Sequence, residues 1–368
     1  MNRRQFMILA TINFLSLNKQ LLSYESKYVG LKIFSAFNRF NKSYFGCFDR
    51  SGKIIFDVEL KNRAHDYIIL PKYNKVCLVA RRPENFILLI DLEKGYVKKK
   101  IISPSERHFY GHISYSEKDN LIYVTENHYK YNDERSGAIA IYDPNKNFKR
   151  LGEIPSFGIG PHELKVSSNN KIVVANGGVL THPDYPRIKL NLSDIDSNLV
   201  ILDQSSAKLI SKFNLNNKFK HNSIRHIDLD KSDNIYLGCQ SYVKNKFEDL
   251  DLVFKISNAK IYPLKIPSFL LKNLHNYSGS IKVSNNKNKV YASFPKGNSL
   301  LIWNLSRGTF LEKKHVFDVC GISIDEVKEN VYLSNGKGDL FLINKQDKLI
   351  KEYSKNINFD NHLSITVS

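Results

Sequence analysis

Five histidines recur at one phase of a repeating pattern: His65 in RAHDYIIL, His112 in YGHISYS, His162 in GPHELKVS, His226 in IRHIDLD and His362 in DNHLSITV. Neutral imidazoles suit first-row transition metals such as iron, copper or zinc, and carboxylates add affinity for harder cations. Residues of complementary chemistry lie at related positions. Arg81, Arg82, Glu126, Asn127 and Asn176 end the segments that follow three of these histidines, while Arg107, His108, Glu163 and Arg225 flank the repeated position. Imidazoles together with arginines equally suit an anionic ligand held by paired guanidinium contacts. The chain has no HExxH, GxSxG, P-loop or dinucleotide-binding fingerprint. Any chemistry therefore depends on bringing separate segments together.

The elements that would do so are repeats. Two further segments share the phase without a histidine, SGSIKVS at Ser280 and VCGISID at Gly321, and successive spacings run from 41 to 64 residues. That period belongs to propeller blades of four short strands, since helical repeats would carry a 3.6-residue apolar pattern. Each unit continues with an apolar second strand (KVCLVARR, NLIYVTEN, KIVVANGG) and a third strand ending on a turn-forming residue such as Asp91, Asp143, Asp203, Asn304 or Asn344. Asp and Asn suit such turns because their side chains satisfy local backbone groups. Residues 31–38, 43–49 and 53–60 supply three strands that lack a first, and residues 361–367 supply a first strand that lacks the other three. The expectation is an all-β, seven-bladed propeller of four-stranded antiparallel blades over residues 28–368, its ring closed by pairing the amino- and carboxy-terminal strands.

In such a blade the start of the innermost strand and the end of the second strand share one face. The histidines and the second-strand residues are therefore expected around one mouth of the central channel. An insertion in the longest unit, GGVLTHPDYPRIKLNLSDIDS, would add His182 and Asp184 over that mouth. Histidines on opposite blades are expected to lie too far apart to share one ion, so a subset such as His112 and His162 with Glu126 is the more economical site. A histidine at a strand entrance also serves as a hydrogen-bonding residue between blades, and the sequence leaves both roles open. A catalytic use is the alternative: Glu126 or His112 as general base, with Arg81 or Arg82 holding developing negative charge, in a lactonase-like hydrolase or a redox enzyme.

The chain has 368 residues and a net charge of +19, which favours anionic partners. The lysines are scattered singly through turns, however, and no nucleic-acid recognition motif is present, so nucleic acid is not expected as a partner. Four cysteines, Cys47, Cys77, Cys239 and Cys320, form no CxxC pair and are expected to be buried and reduced. Residues 1–27 open MNRRQF, with Arg3 and Arg4 before an apolar run too short to span a membrane. They are read as a twin-arginine-like export signal, or as an amino-terminal anchor if uncleaved, which would be the one membrane contact.

The strings ARRP (80–83), RHFYGH (107–112), TEN (125–127), GIGPHEL (158–164), VANGG (174–178), THPDY (181–185), SIRH (223–226) and NHL (361–363) together resemble the domain-of-unknown-function family 1513. The resemblance covers nearly all of the chain after the signal. It implies an exported propeller of the YVTN type, similar in shape to quinoprotein amine dehydrogenase subunits. Relatives are encoded beside imelysin-like iron-regulated proteins and a di-haem-type oxidoreductase. A periplasmic location, a role accessory to iron uptake and partners of those kinds follow as expectations. No activity is carried by the resemblance.

Overall fold

The computed structural model describes residues 30–185, 188–243 and 251–367, so the expected signal at residues 1–27 lies outside the described residues. Seven four-stranded antiparallel sheets are arranged as blades. Blade 1 is built from both ends of the described chain: Asn358–Val367 is innermost, followed outward by Leu31–Arg39, Lys42–Asp49 and Ile54–Leu60. The innermost strands of blades 2 to 7 are Ala64–Leu70, Arg107–Ser116, Pro161–Val166, Asn222–Leu229, Ser280–Ser284 and Val319–Asp325. The seven-bladed propeller and its terminal closure are thus as the repeats predict.

Burial explains the order of strands within a blade. The middle strands are almost wholly apolar and buried, as in Phe86–Asp91 and Lys171–Asn176. They are covered on both faces by neighbouring blades, which calls for continuous hydrophobic runs. Outermost strands alternate instead: Lys149–Pro155 and Phe310–His315 half-bury every second residue and expose the rest. Apolar side chains between adjacent blades form the core; one such cluster packs Phe34, Phe45, Tyr67, Val76 and Ile90. The turns behave as their residue types demand. Asp91 Oδ1 accepts from the backbone N–H of Glu93 and Lys94 at 3.1 and 2.9 Å. Asp203 does the same for Ser205 and Ser206.

One irregularity positions the site. In six blades the innermost strand carries one or two residues more than its neighbour can pair. The register slips between Ala64 and Tyr67, Phe109 and Ile113, Pro161 and Glu163, Ile224 and His226, Val319 and Ile322, and across 359–363. A bulge bends the strand and re-aims its side chains. Every one of the five repeated histidines lies in, or directly beside, such a bulge. Blade 6, which has Ser280 at this phase, pairs in regular register.

Closure joins Leu31–Asn38 to Asn358–Val367 through seven paired positions. Removing residues 358–368 strips the inner neighbour from Leu31–Arg39 and exposes the edge of that strand. The truncated chain is expected to melt at least about 10 °C lower, in line with a loss of several kcal/mol. A melting temperature within about 2 °C of the full chain, measured by circular dichroism, would contradict the closure.

Candidate functional site

The bulges aim the five imidazoles at a common centre. Ring centroids are 4.7 Å apart for His65–His112, 4.9 Å for His65–His362 and His112–His162, and 5.1 Å for His162–His226. Even His226 and His362 are 5.8 Å apart. The expected separation across the ring is therefore corrected: the bulged strands bring rings from five blades within reach of one another. Gly111 makes this packing possible. It adopts φ +110, and a Cβ there would lie 2.6 Å from the His65 ring.

Each ring has a defined orientation. His112 Nδ1 lies 3.1 Å from Asp66 Oδ2, His226 Nδ1 lies 2.9 Å from Glu163 Oε2, and His162 Nδ1 lies 2.8 Å from the Arg225 carbonyl. Facing acceptors, these Nδ1 atoms carry the protons, so the Nε2 atoms keep their lone pairs. His112 Nε2, His362 Nε2 and His65 Nδ1 are buried and have no hydrogen-bond partner. Two sets of three donor atoms lie within 4.8 Å of one another: His65, His112 and His362, and His112, His162 and His226. His112 belongs to both. The ligating nitrogens of two imidazoles on one ion, each at ~2.1 Å, are at most about 4.2 Å apart, so small ring rotations would close either set.

Protonation favours the same chemistry. Burial lowers His65 and His162 well below the usual imidazole range, helped at His162 by Arg225. Burial also lowers His226, against the pull of Glu163, and brings His362 to about 3, against Asp66. Burial works to raise the Asp66 carboxyl, but the His362 ring and the bond to His112 outweigh it and hold it at about 2. His65, His162, His226 and His362 are thus biased toward the neutral ring, with the ionised Asp66 and Glu163 carboxylates behind the cluster.

Two cavities meet at this cluster. One, about 500 Å³, is bordered by His65, His162 and His226 and opens through a wall of cations: Arg63, Arg81, Arg82, Lys189, Arg225 and Lys296. The other, about 410 Å³, contains Asp66, Glu163, Lys165, Lys282 and His362. Asn361 borders both, which makes the histidines the partition of the channel. Burial lowers Arg81 and Arg82, with Arg63 adding to the effect at Arg81. Arg63 is held in a two-pronged ion pair by Asp360, and Arg225 donates to the Tyr242 hydroxyl. The four cysteines are free and buried, and Cys320 borders the cationic cavity.

The remaining sequence candidates lie elsewhere. Glu126 is fully buried and accepts from Arg150 Nη2 at 2.7 Å, on the outermost strand of its blade. Burial raises its carboxyl, against the attraction of Arg150. Arg107 pairs with Glu153, which Arg150 also binds. Asn127 donates to the Thr181 carbonyl, and Asn176 to Ser156 and Asn198, so both fasten loops and strands. His182 accepts from the Asp184 backbone N–H and packs on Tyr129, while Asp184 is exposed. His108 stacks on Tyr129 and meets Tyr110 edge-on; burial, with Arg82 adding its charge, brings it to about 3. Sequence reasoning missed Arg63, Asp66, Lys189, Tyr242, Tyr277 and Lys296. Only Arg63 and Asp66, on either side of Ala64-His65, carried a positional signal.

A family model described as protein of unknown function (DUF1513) matches residues 58–366. The chain belongs to that family. No curated protein matches it. Among solved structures, the hydrazine synthase of Kuenenia stuttgartiensis is similar, with a TM-score of 0.64 at 12% identity over 83% of this chain and 93% of that one. At that identity the likeness concerns the propeller fold alone.

Two outcomes are expected of this DUF1513 member. His65, His162, His226 and His362 resist protonation in the folded state, while their unfolded counterparts take up protons below about pH 6.5. Stability therefore falls as pH drops from about 7 toward 3, by up to ~1.4 kcal/mol per pH unit for each histidine. Asp66 and Glu163, both held low, add a loss of the same sign below about pH 4.5. Urea midpoints at pH 7 and 5 check this, and His65→Leu is expected to flatten the slope; a flat or inverted wild-type profile would contradict it. Separately, Glu126→Gln weakens a buried charge pair and is expected to cost roughly 1–3 kcal/mol in urea unfolding. An unchanged midpoint would show that Glu126 has no structural duty.

Proposed function

We propose that the protein is a non-catalytic binding propeller that takes a transition-metal ion on the imidazole cluster in its channel. The observation that carries this reading is the shared orientation of His112, His162 and His226. Each directs Nδ1 to an acceptor and leaves Nε2 for the common centre. A carboxylate or carbonyl behind a histidine fixes its tautomer and raises its strength as a ligand. The buried, unpartnered nitrogens of His65, His112 and His362 fit the same use, because an ion repays their desolvation. The donor set is all nitrogen in its first ring of contacts, which suits iron, copper or zinc better than calcium or magnesium.

The resemblance gives this chemistry a setting. An exported propeller accessory to iron uptake, working with imelysin-like or di-haem-type partners in the periplasm, would need a metal-selective channel of this kind. Among the described residues no helix is long and apolar enough to cross a membrane. A hydrolase or redox enzyme built on Glu126 has less support, because Arg150 occupies that carboxylate.

Metal-free protein titrated with ferrous iron and with zinc, followed by calorimetry and elemental analysis after dialysis, tests the reading. One ion per chain is expected. His112→Ala, which breaks both donor sets, should weaken binding at least tenfold, and His112→Ala with His162→Ala about 100-fold or more. No retained metal in the wild type, or equal affinity in the double variant with its fold intact, would refute it.

A further inference from the structure

The cavity beside the histidines combines two walls that no simple ligand satisfies at once. Its outer wall is cationic. Six basic side chains face it, the Asp318 carboxylate lies among them, and Asp360 is already committed to Arg63. Arg81 Nη1 and Arg225 Nε are buried without a hydrogen-bond partner. Unpaired guanidinium groups close together in a half-buried cleft are costly unless an anion joins them. The inner wall is the opposite. His65, His162 and His226 border the same space as neutral rings, and His162 and His226 present lone pairs because their Nδ1 protons are engaged.

An anion alone would satisfy the arginines but set its negative oxygens against imidazole lone pairs. A bare metal ion would satisfy the imidazoles but lie beside uncompensated positive charge. An electron-pair acceptor placed between oxygens and imidazoles satisfies both walls. We propose that the cavity admits the metal as a complex with a small, multiply charged oxyanion, carboxylate or phosphate in type. Arg81, Arg82 and Arg225 hold the oxyanion while the histidines take positions on the metal. This rests on the metal-binding reading above. Planar guanidinium forks match carboxylate and phosphate oxygens in pairs. A space of about 500 Å³ suits a compact chelate and lies within the ordinary range for small-molecule sites. Tyr110, Tyr242 and Tyr277 also line the same cleft.

The proposal predicts a separation of effects. Binding is measured by calorimetry for ferric citrate, ferric pyrophosphate, citrate alone, pyrophosphate alone and zinc alone. At least one ferric complex should bind tenfold or more tightly than its free anion, and the preferred complex identifies the oxyanion type. Arg81→Ala with Arg82→Ala should weaken that complex at least tenfold while zinc affinity is kept or increased, because two repelling charges are gone. Arg81→Lys with Arg82→Lys, which keeps charge and loses the fork, should fall between and guards against misfolding of the alanine variant. If zinc binds at the histidines but neither complex outbinds its anion, or the arginine variants bind the complex as the wild type does, this inference fails and the metal reading stands. If the anions bind and no metal binds by any route, both fail.

Discussion

An extra residue in the innermost strand is the constraint on which the site depends. A regular antiparallel strand turns successive side chains to opposite faces, toward one neighbouring blade and then the other. A side chain on such a strand packs between blades. By slipping register at the inner strand, six blades turn a residue toward the axis, and in five of them that residue is a histidine. The sixth has Cys320 and Gly321 at its bulge, and the regular seventh has Ser280. The imidazole ring is consequently open on one side. Cys320 and Pro295, from that sector, border the cationic cavity instead.

The surrounding charges are arranged in layers along the channel. Guanidinium groups gather at one end, neutral rings lie across the middle, and carboxylates with two lysines occupy the far side. Asp66 and Glu163 serve two layers at once, because each adjoins a histidine in sequence and accepts from the histidine of the next blade. The link is mutual: the carboxylate orients the ring, and the ring helps keep the carboxylate ionised in a poorly solvated place. Blade-to-blade contact is therefore polar at the axis and apolar farther out, where the side chains of adjacent sheets interlock.

The propeller was legible in the sequence because its cues are repeated and local. Apolar strands recurring at blade-length spacing, Asp or Asn at the turns and one shared phase all agree, and the split first blade follows from counting strands. Histidine placement was legible as far as the shared phase. How near the rings come was not, since a bulge leaves no signature in apolar periodicity. The second-strand residues show the complementary failure. Glu126 and Asn127 are adjacent, and Asn176 occupies a related end, yet they bond Arg150, the Thr181 carbonyl and Ser156 with Asn198 rather than border the cavity. Position along a strand predicts the end of the blade, whereas the direction of a side chain depends on pleat and register. Lys189, Tyr242 and Lys296 come from separate loops, and only the assembled ring brings them together.

His362 is carried by Asn358–Val367, which follows every other blade in sequence and pairs with Leu31–Arg39 near the start. A nascent chain emerging from the ribosome can form blades 2 to 7 while this strand is still missing. Until it arrives, one of the two donor triads lacks a member, and Arg63 lacks the Asp360 partner that the same strand supplies. Completion of the His65, His112 and His362 triad and sealing of the ring are then a single assembly event, whereas the His112, His162 and His226 triad needs only strands that precede it.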